Sequence, residues 1–206
     1  MKVVHGWHCP DILSGPGNYL NKTGDSEHAL QHVKKRRSVV QAGGHIGGWP
    51  VMLAPLFERV FTFEPDFENF SCLAANLAQR TAGNVFPVRG VLGNERGPTG
   101  LHKSSKSTGQ HRVGKGQLVP TFRIDDLGLV DLDAIFLDVE GFEIPALRGA
   151  LKTIERCRPV IMAEENRRVH EQGFQIGDLG RLLTPLGYRK VAAVNEDLVF
   201  HPGPHS

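Results

Sequence analysis

Short apolar runs alternate with amphipathic segments from Ser38 to about Ile176, and this alternation restricts the possible folds more than any other feature of the sequence. Each run has the length and composition of a buried strand, and the segments between the runs have helical periodicity. The predicted core strands are SVVQA, RVFTFE, NVFPVRGVL, LDAIFLDVEG and RPVIMAEEN. Because strands alternate with helices, the sequence predicts an α/β domain built on a parallel sheet.

The length of 206 residues predicts a single domain with a substantial core. We divide it into an N-terminal segment with a helix (1–37), a core (38–166) and a C-terminal helix and hairpin (167–206). The N-terminal helix is predicted in GDSEHALQHVKKRR, where Lys34–Arg37 suit the negative end of the helix dipole. The segment from Tyr188 to Pro202 predicts a closing antiparallel hairpin.

Composition and charge exclude several classes of protein. The formal charge of +2 is too small to indicate a polyanionic partner by itself. The three cysteines are far apart and form no CxxC pair, which favours reduced thiols and a cytoplasmic location. The sequence has no run of about 18 apolar residues and no apolar signal region at its start, so we expect neither membrane insertion nor secretion.

A glycine-rich turn follows the first core strand in the stretch QAGGHIGG. Glycines at a strand-to-helix turn let the backbone approach a ligand, although a tight turn alone also accounts for them. Glu64 ends the next strand about 20 residues later, where a carboxylate can accept both hydroxyl groups of a ribose. The turn and Glu64 together indicate a cofactor with an adenosine moiety.

The spacing of these glycines leaves two cofactors open. NAD sites prefer GxGxxG, whereas this turn reads GGxxGG, and little chain remains for the substrate domain that NAD enzymes usually carry. S-adenosylmethionine (SAM) uses the same crevice with a looser glycine pattern and a single domain. Size and spacing therefore favour SAM.

Four blocks of sequence resemble the FkbM-type SAM-dependent methyltransferases. The stretch from Phe122 to Asn166 contains LDAIFLDVEGFEIPALRGA and RPVIMAE, similar to the family's DxxKIDVEGxExxVLxGA and RPxIxxE. VVQAGGHIGGW resembles VDVGAxIGxx, FTFEPDFENF resembles FEPxPxxF, and NVFPVRGVLGNERG resembles NVxxxxxALG. The blocks follow the family's order from Val39 to Glu165.

This resemblance implies a Rossmann-like class I methyltransferase fold: a mostly parallel seven-stranded sheet with helices on both faces and a C-terminal antiparallel hairpin. It implies that Gly43 and Gly47 approach the methionine part of SAM, and that Val91 lies against the adenine. SAM is the expected cofactor, S-adenosylhomocysteine the expected product, and no metal is expected. The cofactor-binding residues that we predict are Gln41, Gly43, Gly44, His45, Gly47, Glu64, Pro65, Val91 and Asp138.

Two positions depart from the family pattern. The family's acid at the end of the first strand is Gln41 here, which can donate and accept hydrogen bonds but brings no charge to the amino group of SAM. The family's lysine two residues before Asp138 is Phe136 here, which removes a cation. Both changes predict weaker cofactor binding.

Methyl transfer from SAM is an in-line displacement, so the enzyme must align the acceptor and, for a hydroxyl, help to remove its proton. We predict Asp138, Glu140 and Glu164 as catalytic residues: the first two near the methyl group, and Glu164 in the acceptor pocket. Glu140 is equally compatible with a helix N-terminal carboxylate, and His45 with a simple turn residue. His170 is a weaker candidate for the base.

Histidines suggest a metal site at two places, but neither offers a full ligand set. His5, His8 and Cys9 lie close in sequence, and His28 and His32 have helical i,i+4 spacing. A zinc site needs three or four ligands, so scattered histidines are the better interpretation.

The segment 94–117 is rich in glycine, serine and basic residues, with almost nothing to bury, and is predicted as a long basic loop or loose hairpin. It is compatible with a solvated surface loop. It is also compatible with steering of an anionic acceptor by its cations. The candidate steering residues are Lys103, Lys106, Arg112 and Lys115.

The resemblance implies O-methylation of a small-molecule or glycan-like acceptor. Two alternatives stay open at this stage. The basic loop is compatible with a nucleic-acid methyltransferase, although the sequence has no NPPY-type motif. Gln41 and Phe136 are compatible with a binding protein that has kept the fold and lost transfer. The acceptor and the oligomeric state have no readable signal in the sequence.

Overall fold

The structure is a computed structural model that describes residues 1–13, 15, 17, 22–104 and 107–203 of the chain. Lys106 lies outside the described residues. The strands are β1 (Lys2–Val4), β2 (Trp7–Cys9), β3 (Ser38–Ala42), β4 (Arg59–Phe63), β5 (Val85–Val88), β6 (Val91–Leu92), β7 (Gly97–His102), β8 (Arg112–Val113), β9 (Gln117–Phe122), β10 (Leu132–Leu137), β11 (Val160–Glu164), β12 (Tyr188–Val194) and β13 (Asp197–Pro202).

The α-helices are α1 (Glu27–Leu30), α2 (Gly48–Leu53), α3 (Phe67–Arg80), α4 (Glu143–Arg148), α5 (Leu151–Cys157) and α6 (Asp178–Leu183). Short 3-10 helices span Lys22–Ser26, Thr108–Gln110, Ile124–Leu127, Arg167–Gln172 and Thr184–Leu186. Within the described ranges, no helix has the length and the apolar character that a membrane span needs.

A seven-stranded sheet in the order β12–β13–β11–β10–β3–β4–β5 forms the centre of the molecule. The strands β11, β10, β3, β4 and β5 are parallel, and β13 runs antiparallel to both β11 and β12. The predicted α/β sheet and its closing antiparallel hairpin are therefore confirmed. After β3 the chain continues to β4 on one side, whereas β10 pairs with β3 on the other, so the strand order reverses at β3.

Helices cover both faces of the sheet because side chains of successive strand residues point to opposite faces. On one face, Val39 and Phe136 pack with residues of α1, α2 and α3. On the other face, Val40 and Ile135 pack with residues of α4, α5 and α6. Burial on both faces explains why the core strands read as continuous apolar runs.

The described part of segment 94–117, which leaves out residues 105 and 106, contains regular secondary structure. Its strands β7 and β8 pair with each other, and β7 pairs with β9 in an antiparallel hairpin that belongs to a second sheet in the order β6–β9–β7–β8. A Cβ at Gly116 would lie 2.0 Å from the carbonyl oxygen of Leu101, so this close approach requires glycine. Glycine at position 116 therefore allows the chain before β9 to lie close against β7.

The N-terminal helix ends earlier than predicted, at Leu30, and Lys34–Arg37 lie outside it. Arg37 instead pairs with Asp133: its backbone N–H donates to one carboxylate oxygen at 2.8 Å and its guanidinium binds the other at 2.5 Å. The basic run thus leads into β3 and its last residue joins an ion pair, so the helix-dipole interpretation was wrong.

Candidate functional site

The glycine turn after β3 fits against the ends of two neighbouring strands. Gly43 has φ +85°, and a Cβ there would lie 2.0 Å from the carbonyl oxygen of Asp138 at the end of β10. The backbone N–H groups of Gly43 and Gly44 both donate to the carbonyl of Phe63 at the end of β4, at 3.1 and 2.9 Å. The turn therefore requires glycine at position 43 and brings the ends of β3, β4 and β10 together.

Glu64 is buried beside this turn at the end of β4. One of its carboxylate oxygens accepts the backbone N–H of His45 at 2.8 Å, and the other accepts that of Asp66 at 2.9 Å. Burial raises the pKa of Glu64 to about 7, against the opposing effect of these two N–H groups. Each carboxylate oxygen has more than one acceptor position, so the fixed carboxylate can still accept hydrogen bonds from a ligand.

A cleft opens at the carboxyl ends of β3, β4 and β10, with an empty volume of about 920 Å³ that includes its open mouth. Such a crevice lies where the strand order reverses, the usual position of a ligand site in an open α/β sheet. Its apolar walls include Phe63, Val91, Leu92, Leu101 and Phe142. Apolar walls with a few converging polar groups are typical of a small-molecule site.

Most of the residues that the sequence predicts for the site line this cleft. They come from the glycine turn, from the end of β4, from β6 and from the end of β10. The predicted residues in its lining are Gly43, Gly44, His45, Glu64, Pro65, Val91, Asp138 and Glu140.

Three other predicted residues, Gln41, Gly47 and Glu164, are not part of this lining. Gln41 is buried: its side-chain oxygen accepts from the hydroxyl of Thr62 at 2.5 Å, and its amide nitrogen donates to the carbonyl of Ala42 at 3.0 Å. Gly47 is the N-cap residue that precedes α2 and has φ +108°, and Glu164 accepts a hydrogen bond from Asn166 at 2.7 Å.

The loop after β10 holds Glu140 in an unusual conformation. Glu140 has φ +58°, a left-handed value that is uncommon for a residue with a side chain, and its carboxylate forms an ion pair with Arg168. Arg168 follows β11 in the 3-10 helix Arg167–Gln172. Glu140 is therefore a paired carboxylate, and sequence reasoning gave no signal for its partner.

Glu143 supports the same loop from beneath. Its side chain is buried, and one carboxylate oxygen accepts the backbone N–H groups of Val139 and Gly141, at 3.0 and 3.3 Å. Burial raises the pKa of Glu143 to about 7, and the charge of Asp138 adds to this effect. Glu143 is the first residue of α4, and no signal in the sequence indicated this role.

The outer side of the cleft is formed by Ser107–Val113, which we call the strap. Its cleft-lining residues are Thr108, Gly109, His111, Arg112 and Val113. The ring Nε2 of His45 lies 2.8 Å from the hydroxyl of Thr108. Burial lowers the pKa of His45 to about 3, so this ring is neutral at pH 7.

Two of the cations that the sequence predicts for steering an acceptor form ion pairs within the protein instead. Lys103 binds the carboxylate of Asp66 at 2.5 Å, and Arg112 binds Glu171 at 2.7 Å. Lys115 is exposed. His170 lies outside the cleft lining, with Nδ1 2.9 Å from the carbonyl of Phe174. Among the described residues, no group of three or more His, Cys, Asp or Glu side chains is arranged to hold a metal ion.

The strand order, the reversed strand β13 and the cleft at the ends of β3, β4 and β10 define a class I, Rossmann-like methyltransferase fold. A family model for the methyltransferase FkbM domain matches residues 42–190. The chain belongs to the FkbM methyltransferase family, which confirms the resemblance seen in the sequence.

Solved structures share this fold at low sequence identity. An FkbM methyltransferase from Methylobacillus flagellatus is 21% identical, with a TM-score of 0.56 over 81% of this chain and 43% of that chain. This chain thus spans less than half of that relative. A Methanobacterium thermoautotrophicum protein described as a precorrin 8w decarboxylase is 15% identical, with a TM-score of 0.55 over 96% of this chain and 97% of that chain.

A putative rRNA methylase from Clostridium thermocellum is also 15% identical, with a TM-score of 0.52 over 86% of this chain and 93% of that chain. None of the curated proteins matches the sequence. The names of these structural neighbours refer to different acceptors, so the shared fold leaves the acceptor of this chain open.

Proposed function

We propose that this protein transfers a methyl group from SAM to a hydroxyl of a small-molecule or glycan-like acceptor. The observation that carries the proposal is the buried carboxylate of Glu64, held by two backbone N–H groups beside the Gly43–Gly44 turn. A carboxylate in this position suits the two hydroxyl groups of a ribose. Family membership supports methyl transfer as the reaction.

The residues of the cleft fit SAM in their chemistry. Glu64 would accept the ribose hydroxyls, and the apolar walls at Val91, Leu92 and Phe63 would take the adenine. The backbone of Gly43 and Gly44 lines the cleft, and without side chains it would let the methionine part approach closely. When bound, SAM supplies an electrophilic methyl group, and the residues of this chain hold and orient the two reactants.

Acceptor alignment and proton removal fall to the carboxylates after β10. Asp138 lines the cleft, and we assign to it the role of general base, which removes the proton of the acceptor hydroxyl. Glu140 is paired with Arg168, so its part is to hold the loop and the acceptor rather than to take a proton. His45 is neutral and bonded to Thr108, which leaves it a positioning part.

Two observations bear on the alternatives. Gln41 is bonded to Thr62 outside the cleft lining, so the missing acid at this position removes no group from the lining; this supports retained cofactor binding. Lys103 and Arg112 are both paired with carboxylates, which reduces the positive charge available to a nucleic acid. A small or glycan-like acceptor is therefore favoured.

Calorimetric titration with SAM and with S-adenosylhomocysteine tests the proposal. Wild-type protein is expected to bind both, and Glu64→Ala to bind neither at the same concentrations. The absence of binding to the wild type at millimolar ligand would contradict the proposal. A labelled-methyl screen over sugars, small alcohols and oligonucleotides then separates the acceptors, and labelled oligonucleotides alone would favour the nucleic-acid alternative.

The affinity for S-adenosylhomocysteine should also depend on pH through Glu64. Its pKa of about 7 means that the carboxylate, the better acceptor for ribose hydroxyls, becomes dominant between pH 6 and pH 8. We expect the affinity to rise roughly tenfold over this range. In Glu64→Gln the rise should disappear, and a wild-type affinity independent of pH would place the ribose elsewhere.

A further inference from the structure

The strap, Ser107–Val113, is a short structured segment with contacts at both of its ends. The hydroxyl of Ser107 accepts the backbone N–H of Gly109 at 3.3 Å and caps the 3-10 helix Thr108–Gln110. β8 then pairs with β7, with Val113 opposite Leu101. The strap therefore begins next to α3 as a 3-10 turn and continues as the strand β8.

The first end of the strap is fastened beside Glu64. The hydroxyl of Thr108 lies 2.8 Å from Nε2 of His45, and its backbone carbonyl accepts from the side-chain amide of Asn69 at 2.9 Å. Thr108 is 4% exposed, and Asn69 is buried in α3. These are buried, uncharged contacts, and we call this set the inner rim.

The second end of the strap is fastened on the opposite side of the cleft, at the 3-10 helix Arg167–Gln172. Arg112 binds the carboxylate of Glu171 at 2.7 Å, and the carbonyl of Val113 accepts from the side-chain amide of Gln172 at 3.1 Å. The two charged side chains are 33% and 48% exposed. We call this set the outer rim; its ion pair is weakened by solvent and by salt.

The strap thus spans the cleft between two sets of contacts of different strength. Five of its residues line the cleft, so a ligand in the cleft lies behind it. The inner rim is also linked to Glu64, because the backbone N–H of the same His45 donates to the Glu64 carboxylate. A ligand that binds Glu64 therefore lies against the strap.

From these contacts, we propose that the strap is the outer wall of the cofactor site and gates cofactor exchange by opening at the outer rim. The inference rests on the proposed function, since it takes a SAM-type nucleoside as the ligand. It differs from acceptor steering, because Arg112 acts through its bond to Glu171. Opening at the outer rim breaks one exposed ion pair and one side-chain hydrogen bond, while β8 stays paired with β7 and the buried inner rim stays intact.

The experiment measures exchange of S-adenosylhomocysteine by stopped-flow tryptophan fluorescence, with Trp49 in the cleft lining as the reporter. The test variant is Glu171→Gln with Gln172→Ala, because neither residue lines the cleft and both belong to the outer rim. The matched control is Glu155→Gln, an exposed carboxylate on α5. Thermal unfolding of each variant checks that the fold is intact.

We expect both the association and the dissociation rate to rise at least about threefold in the test variant, with a smaller change in Kd. The control should exchange at the wild-type rate. In the wild type, a change from about 50 mM to about 500 mM NaCl should speed exchange, because salt screens the exposed pair. The test variant should have lost this salt dependence.

The outcomes separate the two proposals. If the wild type binds S-adenosylhomocysteine and the test variant exchanges it at the wild-type rate, the gating inference is wrong while the proposed function stands. A faster dissociation without faster association would also contradict gating, because the strap would then only retain the ligand. Should the wild type fail to bind at all, the proposed function fails and the strap cannot gate this cofactor.

Discussion

The floor and the outer wall of the cleft are built in different ways. The floor consists of backbone at the ends of β3, β4 and β10, where Gly43 approaches Asp138 and Glu64 accepts two N–H groups. The wall is the strap, which is held by side chains from distant parts of the chain. His45 and Thr108 are 63 residues apart, and Val113 and Gln172 are 59 apart.

This difference explains what each region tolerates. A floor made of closely approaching backbone has no room for an added atom, so a small change there has a large effect. The outer rim of the wall, which consists of one exposed ion pair and one hydrogen bond, can open at little cost in free energy. The comparison predicts that changes in the floor abolish binding and changes in the wall alter its rate.

The largest effect is expected for Gly43→Ala. A Cβ at this position would lie 2.0 Å from the carbonyl oxygen of Asp138, and the backbone has φ +85°. We expect a loss of about 2–4 kcal/mol in the free energy of unfolding, from strain and from the clash. Binding of S-adenosylhomocysteine, measured by calorimetry, should be lost in the protein that remains folded.

Gly83→Ala is the matched control for this change, because Gly83 has the same φ of +85° and nothing within 4 Å of its added Cβ. Urea unfolding of both variants separates the two costs. Gly83→Ala should show the backbone strain alone, about 1–2 kcal/mol, and should bind the cofactor product normally. Equal losses in the two variants would mean that the turn has no tight approach to Asp138.

The second effect concerns Glu143, which lies beneath the floor. Its pKa is raised from 4.5 to about 7, so the folded state holds a proton that the unfolded state has already lost between these values. The contribution of Glu143 to the free energy of unfolding is therefore fully present below about pH 4.5 and is lost as the pH rises through about 7. The loss should amount to up to about 3 kcal/mol at pH 8.

Glu143→Gln isolates this contribution, since glutamine can accept the same two N–H groups and does not ionise. The free energies of unfolding of wild type and variant should agree at about pH 4, and the variant should be the more stable at pH 8. Denaturant unfolding at several pH values measures the difference. A difference that does not change with pH would contradict a raised pKa for Glu143.

The features that could be predicted from the sequence depend on local order along the chain. Asp66 caps α3, with its side chain accepting from the N–H groups of Glu68 and Asn69, and such a cap involves residues only two or three apart. The glycine turn and Glu64 also follow directly from strand ends. Contacts of this kind are encoded within one motif.

The features that could not be predicted depend on long-range contacts. The early end of α1 goes with the pairing of Arg37 with Asp133, 96 residues away. The position of Gln41 outside the cleft lining follows from its bond to Thr62 on the neighbouring strand. Arg168 and Thr108 reach the site from segments whose sequence has no recognisable motif, so only the folded chain reveals them.

The smallest effect is expected for Thr108→Val, which removes the inner-rim hydroxyl and keeps the side-chain shape. The ring of His45 then loses a hydrogen bond in a buried place, so we expect a loss of about 1 kcal/mol in the free energy of unfolding. The affinity for S-adenosylhomocysteine should fall by about fivefold at most, because Glu64 keeps the backbone N–H of His45.

Thr99→Val is the control for this change, since Thr99 is half-buried in β7 of the same hairpin. Calorimetry and urea unfolding of the two variants compare a hydroxyl that faces the floor with one that does not. If Thr108→Val abolishes binding as Gly43→Ala does, the inner rim belongs to the floor, and the division between floor and wall must be drawn at the outer rim. A modest loss in affinity would instead place Thr108 in the wall, because its contact with the glycine turn is made through the side chain of His45.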